Sequence, residues 1–159
     1  MASVTIISVG TLKEAYLRDA AAEYAKRLSQ YTKLDEVNIK EEKISNEDSD
    51  AEVRRALECE ADKILAAIPK GAAKIALCVE GKQYDSVTLA RVIGKMCDES
   101  GKIALIIGSS HGLSDRVKRE CDLRLSVSAL TFPHQLMRVI LLESLYRSFT
   151  ILAGKKYHK

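Results

Sequence analysis

Along the chain, short β-branched runs alternate with longer stretches whose apolar residues recur every three or four positions. Residues 3–9 are Ser-Val-Thr-Ile-Ile-Ser-Val, stopped by Gly10. An apolar run of that length, ended by a turn residue, predicts a buried strand. Thr11 and Glu14 follow with the spacing of a capping box. Behind them Leu17, Ala20, Ala21, Tyr24 and Leu28 predict a helix to about residue 30. Residues 34–39 alternate like a strand, and 40–50 are charged and polar, as in a loop. Ser49 and Glu52 repeat the capping box. Val53, Ala56, Leu57, Glu60, Ile64 and Ala67 carry a helix that ends before Pro69-Lys70-Gly71.

The second half keeps this rhythm. Strands are predicted over 74–79, 103–107 and 122–127, and helices over 86–98, 114–121 and 133–152. Strand and helix alternate throughout, so the expected fold class is α/β, with a parallel sheet covered by helices on both faces. No repeat, low-complexity stretch or linker interrupts the pattern, so one domain over residues 1–159 is expected.

The last helix departs from the rule that a surface helix has one apolar stripe. Residues 134–152 span ~28 Å at about 1.5 Å each. Leu136, Met137, Val139, Ile140, Leu141, Leu142, Leu145, Tyr146, Phe149, Ile151 and Leu152 cover more than one face. Such a helix is either a central element or packs on a second subunit, and a homodimer is the favoured reading. Arg138 sits inside it, one turn after His134. It must pair with an acid or project from the helix end toward a site.

Composition narrows the class. Apolar residues make up 47% and charged ones 30%, which places the chain among globular rather than disordered proteins. No apolar run approaches the roughly 20 residues of a membrane span, and the N-terminus lacks a secretory pattern. The net charge of +3 divides unevenly: residues 1–70 hold 11 Lys/Arg against 14 Asp/Glu, and 71–159 hold 14 against 8. The basic end is suited to a polyanion. Cys59, Cys78, Cys97 and Cys121 show no CxxC or zinc spacing. They read as small buried or half-buried residues in a reducing cytoplasm, with no metal site.

Ligands of open parallel sheets bind beyond the carboxyl ends of the strands. That selects Glu80-Gly81-Lys82, the turn from Gly108 to Gly112, and the loop 126–133. Neither G-x-G-x-x-G nor a Walker A sequence is present, and Ser109-Ser110-His111 lacks the G-x-S-x-G arrangement of a hydrolase. The loop Ser126-Val127-Ser128-Ala129-Leu130-Thr131-Phe132-Pro133 is apolar, small and uncharged. It could wrap an adenine ring, its backbone reading the edge and its side chains covering the faces. Alternatively it packs under the last helix, with Pro133 at the first helical position. The tail, Gly154-Lys155-Lys156-Tyr157-His158-Lys159, is either frayed or a binder of anions and bases.

The run Thr131-Phe132-Pro133-His134-Gln135-Leu136-Met137-Arg138-Val139, with Glu143, Leu145-Tyr146-Arg147 and the terminal Tyr157-His158-Lys159, resembles the RlmH-type ribosomal RNA methyltransferases. Val9-Gly10-Thr11-Leu12-Lys13, Tyr24-Ala25-Lys26-Arg27-Leu28, Glu80-Gly81-Lys82, Ile106-Ile107-Gly108 and Gly112-Leu113 agree with it. The resemblance implies the SPOUT class, with a trefoil knot in the C-terminal part that no periodicity argument could find. It implies a cytoplasmic homodimer that transfers a methyl group from S-adenosylmethionine to N3 of a pseudouridine in helix 69 of 23S rRNA, on the assembled ribosome. The implied cofactor site is Leu77, Gly108, Val127, Ser128, Ala129, Leu130, Thr131 and Phe132. The implied catalytic group is His158, contacting or deprotonating the base, with Tyr157 positioning it and Arg138 offsetting charge on the base or holding the cofactor's carboxylate. Ser109-Ser110-His111 departs from the family's turn, which has a second glycine. Alternative readings are a non-catalytic ribosome-associated binding protein and a methyltransferase of the same fold acting on transfer RNA.

Overall fold

A computed structural model describes residues 1–159. Five strands, β1 (Ser3–Val9), β2 (Lys33–Ile39), β3 (Ala73–Lys82), β4 (Lys102–Ile107) and β5 (Leu123–Leu125), form one parallel sheet in the order β2-β1-β4-β3-β5. Five helices separate and follow them: α1 (Ala15–Leu28), α2 (Asp50–Ala67), α3 (Ser86–Ser100), α4 (Asp115–Glu120) and α5 (His134–Leu152).

The two-residue period of the strands builds two cores. Val4 and Ile6 of β1, with Ile103, Leu105 and Ile107 of β4, face α1, α3 and α5. Ile7 and Val9, with Ala104 and Ile106, face α2 and α4. The small Ala76 and Ala104 lie on this second face beside Ile7, Val9 and Ile106. Chain direction follows the same division. The two steps over the first face, β1 to β2 and β3 to β4, run one way across the sheet. The two over the second, β2 to β3 and β4 to β5, run the other way. This is the arrangement that crossovers of a single hand require.

The unusual apolar spread of α5 has a physical reason. It packs on the sheet between α1 and α3, burying Leu141, Leu142, Leu145 and Phe149. Each such side chain contributes about 1.5–3 kcal/mol relative to exposure. Leu136 and Leu152 at its two ends remain exposed.

Several boundaries differ from expectation. The Thr11–Glu14 capping box does not form: α1 begins at Ala15, with Glu14 at its N-cap and no side-chain cap. Gly10, at φ 88°, turns the chain, and residues 11–13 are pinned elsewhere. Lys13 N–H donates to Gln135 Oε1 at 2.9 Å, and Arg18 takes the carbonyls of Leu12 and Lys13. The second box is half made. Ser49 Oγ accepts from Glu52 N–H, but the Glu52 carboxylate accepts from Ser45 and Asn46 instead of turning back to Ser49. Pro133 is the N-cap of α5 rather than its first residue. Strand β3 continues to Lys82 through a bulge between Leu77 and Lys82, whereas β5 keeps only three residues.

Candidate functional site

The carboxyl ends of β3, β4 and β5 open on one cavity of about 740 Å³. This lies within the 300–1,000 Å³ typical of small-molecule sites. Its apolar walls include Leu77, Ile107, Leu125, Leu130, Phe132 and Met137. Its polar part is formed by the ion pair of Lys118 and Glu80, by Ser109 and Ser110, and by His111 and His134. The Lys118 ammonium holds the Glu80 carboxyl below its usual range.

The turn after β4 closes on itself. A Cβ at Gly108 would stand 2.3 Å from the Gly112 carbonyl oxygen, so only glycine lets the two backbones meet. Gly112 N–H donates to Ser109 O at 2.9 Å, and His111 N–H to Ser109 Oγ at 3.3 Å. Gly112 takes φ 83° and no non-glycine residue of the chain has positive φ. Ser109 is thus accommodated without a second glycine: its buried hydroxyl closes the turn. At β3, a Cβ on Gly81 would come within 2.7 Å of the Leu125 backbone, which fixes β3 against β5 beneath the cavity.

The loop 126–133 does not pack under α5. Ala129, Leu130 and Thr131 are exposed, Leu130 by 69%. Ser126 Oγ donates to Ser128 O, and Ser128 Oγ accepts from Leu130 N–H. The backbone N–H and C=O groups of Val127, Ala129, Thr131 and Phe132 bond to nothing else in the chain. A loop with uncommitted backbone groups beside apolar walls fits a flat heteroaromatic ring, whose edge presents donors and acceptors and whose faces need cover.

Of the residues singled out above, Leu77, Gly108, Val127, Ser128, Leu130, Thr131 and Phe132 line this cavity. Ala129 does not. Glu80 belongs to a loop that the strand-end rule selected, whereas His134, Met137 and Lys118 line the cavity without having been singled out as ligand-facing. The pairing of Glu80 with Lys118 joins positions 38 apart in the chain, which no local pattern exposes.

Arg138 does not line the cavity of its own chain. Its side chain is buried, with Nη1 donating to Asn38 Oδ1 at 2.7 Å and Nη2 to Glu36 Oε1 at 3.3 Å. It braces α5 against the edge strand β2, the acid-paired arrangement rather than the ligand-facing one.

Tyr157 and His158 also lie outside the cavity of their own chain, and the tail is not frayed. Gly154, at φ 66°, ends α5: Gly154 N–H donates to Ile151 O and Lys155 N–H to Thr150 O, the bonds of a Schellman turn. The reversed tail then runs back along α5. Tyr157 donates its hydroxyl to Glu143 Oε1 at 3.1 Å and meets the Tyr146 ring edge-on at 4.7 Å. Arg147, bound to Glu143, lies 4.8 Å from the Tyr157 ring centroid, and its Nη1 is 3.3 Å from His158 Nδ1. Burial, with the nearby Glu143 carboxylate, pushes the Tyr157 phenol up to about 12. A second, smaller cavity of about 130 Å³ adjoins Glu143 and Arg147 and shares Ser126 and Val127 with the first.

All four cysteines are half-buried free thiols. Burial pushes up Cys78, Cys97 and Cys121, the last to about 11, so these are neutral thiols rather than nucleophiles. No His, Cys, Asp and Glu side chains gather in groups that could hold a metal ion. No helix is long and apolar enough to cross a membrane.

A parallel α/β sheet with a ligand-sized cavity at its strand ends, built from glycine turns and an uncommitted loop, defines a small-molecule-binding α/β domain. The chain belongs to the SPOUT methyltransferase family: the family model described as "Predicted SPOUT methyltransferase" matches residues 2–158. A protein of Methanococcus maripaludis strain C5 is 49% identical over 159 residues, covering 99% of both chains. A "Ribosomal RNA large subunit methyltransferase H" of Caldicellulosiruptor bescii is 47% identical, covering 98% of this chain and 99% of its own. Among solved structures, a "Probable Methyltransferase" from Bordetella pertussis Tohama I aligns with a TM-score of 0.58 at 14% identity, covering 93% of this chain and 95% of its own. At that identity the likeness speaks for the fold.

Proposed function

We propose that the chain is an S-adenosylmethionine-dependent methyltransferase of large-subunit ribosomal RNA, acting at N3 of a pseudouridine in helix 69 of 23S rRNA on the assembled ribosome. The carrying observation is the cavity at the ends of β3, β4 and β5, in a chain related over its whole length to proteins named for ribosomal RNA methylation. When bound, the cofactor supplies an already activated methyl group. The protein's own work is therefore orientation and management of one proton.

Leu77, Leu130 and Phe132 would cover the adenine faces, and the free backbone groups of residues 127–132 would read its edge. Gly108 admits close backbone approach in the turn beside them. Lys118 and Glu80 offer opposite charges for the amino-acid end. A homodimer is supported by the exposed apolar side chains Val79 and Leu130 on the cavity wall and by Leu136 in the first turn of α5. In such a dimer the tail of one protomer, with Tyr157 and His158, would cover the target base at the cavity of its partner. The basic side chains Lys155, Lys156 and Lys159 would meet RNA phosphates there.

The test is incubation of purified ribosomes with labelled cofactor, followed by mapping of the modified nucleotide. Label at a helix 69 pseudouridine is expected. Label in free transfer RNA and none in ribosomes would overturn the substrate. Calorimetry that finds no cofactor binding would favour a non-catalytic binding protein.

A further inference from the structure

The contact between Arg147 and His158 constrains what the histidine can do. A guanidinium has only donors. At the 3.3 Å contact between Arg147 Nη1 and His158 Nδ1, the imidazole must present a lone pair. A neutral ring carries one hydrogen, so here it resides on Nε2. Arg147 is itself held in place. Its Nε and Nη2 bind Glu143 Oε1, which also accepts the Tyr157 hydroxyl, and its face lies on the Tyr157 ring. Tyr157 in turn rests on Tyr146, which packs near Tyr24 and Tyr31. Arg147 thus points one fixed donor at one ring nitrogen, and the exposed His158 keeps its other nitrogen, as an N–H, without a partner in the chain.

We propose that Arg147 is a positioning residue that fixes the Nε2–H tautomer of His158, and that His158 serves the reaction as a hydrogen-bond donor to a carbonyl oxygen of the target base rather than as the acceptor of its N3 proton. This rests on the reading that an imide nitrogen of a pyrimidine is methylated. That nitrogen lies between two carbonyls. When the N3–H bond breaks, its electron pair stays on the base and spreads onto both oxygens, and the proton passes to solvent water. A fixed N–H at one oxygen stabilises that anion, as donors placed where charge develops do elsewhere.

The experiment has two arms, both on the full chain. In the first, nitrogen-15 NMR of the histidine rings, assigned with His158→Gln, reads the tautomer without cofactor or RNA. The expected signature is a protonated Nε2 and a lone-pair Nδ1 in the parent, relaxing to a tautomer mixture in Arg147→Met. A protonated Nδ1 in the parent overturns the assignment. In the second arm, ribosome methylation is followed. His158→Gln keeps an N–H donor at comparable reach but no base, and should stay within about tenfold of the parent, while His158→Leu should lose roughly 100-fold or more. Equal loss in both overturns the donor role. In the His158→Gln background, Arg147→Met should lower kcat no further, because no tautomer remains to be set; a further drop would make Arg147 merely structural. If the parent labels no pseudouridine, the substrate reading falls and takes the donor role with it, while the NMR result still decides the tautomer.

Discussion

The two ends of α5 carry one arginine each, and they are built to opposite ends. Arg138 near the start is buried, and its partners Glu36 and Asn38 belong to β2, the strand paired with β1 at the sheet's edge. Arg147 near the end is half-exposed; it binds Glu143 one turn back and then a tail that returns through a glycine turn. One guanidinium ties the helix to the sheet; the other holds chemistry-bearing side chains at the surface. The difference lies in the partners. Arg138 spends Nη1 and Nη2 on the sheet and keeps a buried, unpartnered Nε, whereas Arg147 spends Nε and Nη2 on its own helix and keeps Nη1 for the tail.

The same substitution at the two ends should therefore divide its effects differently. Arg138→Ala leaves Glu36 facing a void in a buried setting. Breaking a buried pair costs about 3–5 kcal/mol. Since Glu36 is partly exposed, the lower end is expected, which corresponds to about 6–12 °C in Tm for a chain of this size. Arg147→Ala breaks a half-exposed pair and should cost about 1 kcal/mol or less. Thermal unfolding of the two variants measures the contrast, and equal losses would erase it.

Truncation after Gly154 probes the other side. It removes the tail but none of the sheet or helix core, so cofactor binding and Tm should stay close to those of the full chain. Methylation should fall roughly 100-fold or more, the usual worth of a lost proton-managing or donor group. Full activity after truncation would remove the tail from the mechanism.

Much of this was legible before any coordinates. Strand and helix alternation gave the α/β class. The excess apolar surface of α5 left a central helix and a subunit face both open, with the subunit face favoured; its packing on α1, α3 and the sheet makes it a central helix. The strand-end rule selected Glu80-Gly81-Lys82, the turn from Gly108 to Gly112 and the loop 126–133 because it depends only on where runs stop. Local signals failed where distant residues compete. The Thr11 box lost to Gln135 and Arg18, which hold residues 11–13 out of the helix. Arg138 could not be assigned because its partners are 100 and 102 positions away. The tail was ambiguous because its order depends on the φ of Gly154 and on tyrosines stacking across α1 and α5.

Glu36→Gln refines the first contrast. The amide still accepts from Arg138 but removes the countercharge, so Arg138 keeps a hydrogen bond and loses an ion pair. A hydrogen bond to a charged group contributes about 1.5–3 kcal/mol, of which the neutral acceptor retains part. Chemical denaturation should place Glu36→Gln between the parent and Arg138→Ala. A loss as large as that of Arg138→Ala would mean the charge alone holds α5 to β2.

The smallest expected effect is an alkaline one, and it isolates the tail. Tyr157 is an acid whose phenol is pushed from about 10 up to about 12, first by burial and then by Glu143. Between those two values the unfolded chain has given up the proton and the folded chain keeps it. The unfolded state then binds fewer protons, so stability falls as pH rises through that window and is unaffected below it. Only the tail's packing is at stake, because α5 is held from the sheet side by Arg138 and Leu142. Phenolate absorbance, taken as the difference between the parent and Tyr157→Phe, should titrate near 12. A midpoint near 10 would mean that Tyr157 spends its time in water, and that Arg147 has no fixed platform from which to reach His158.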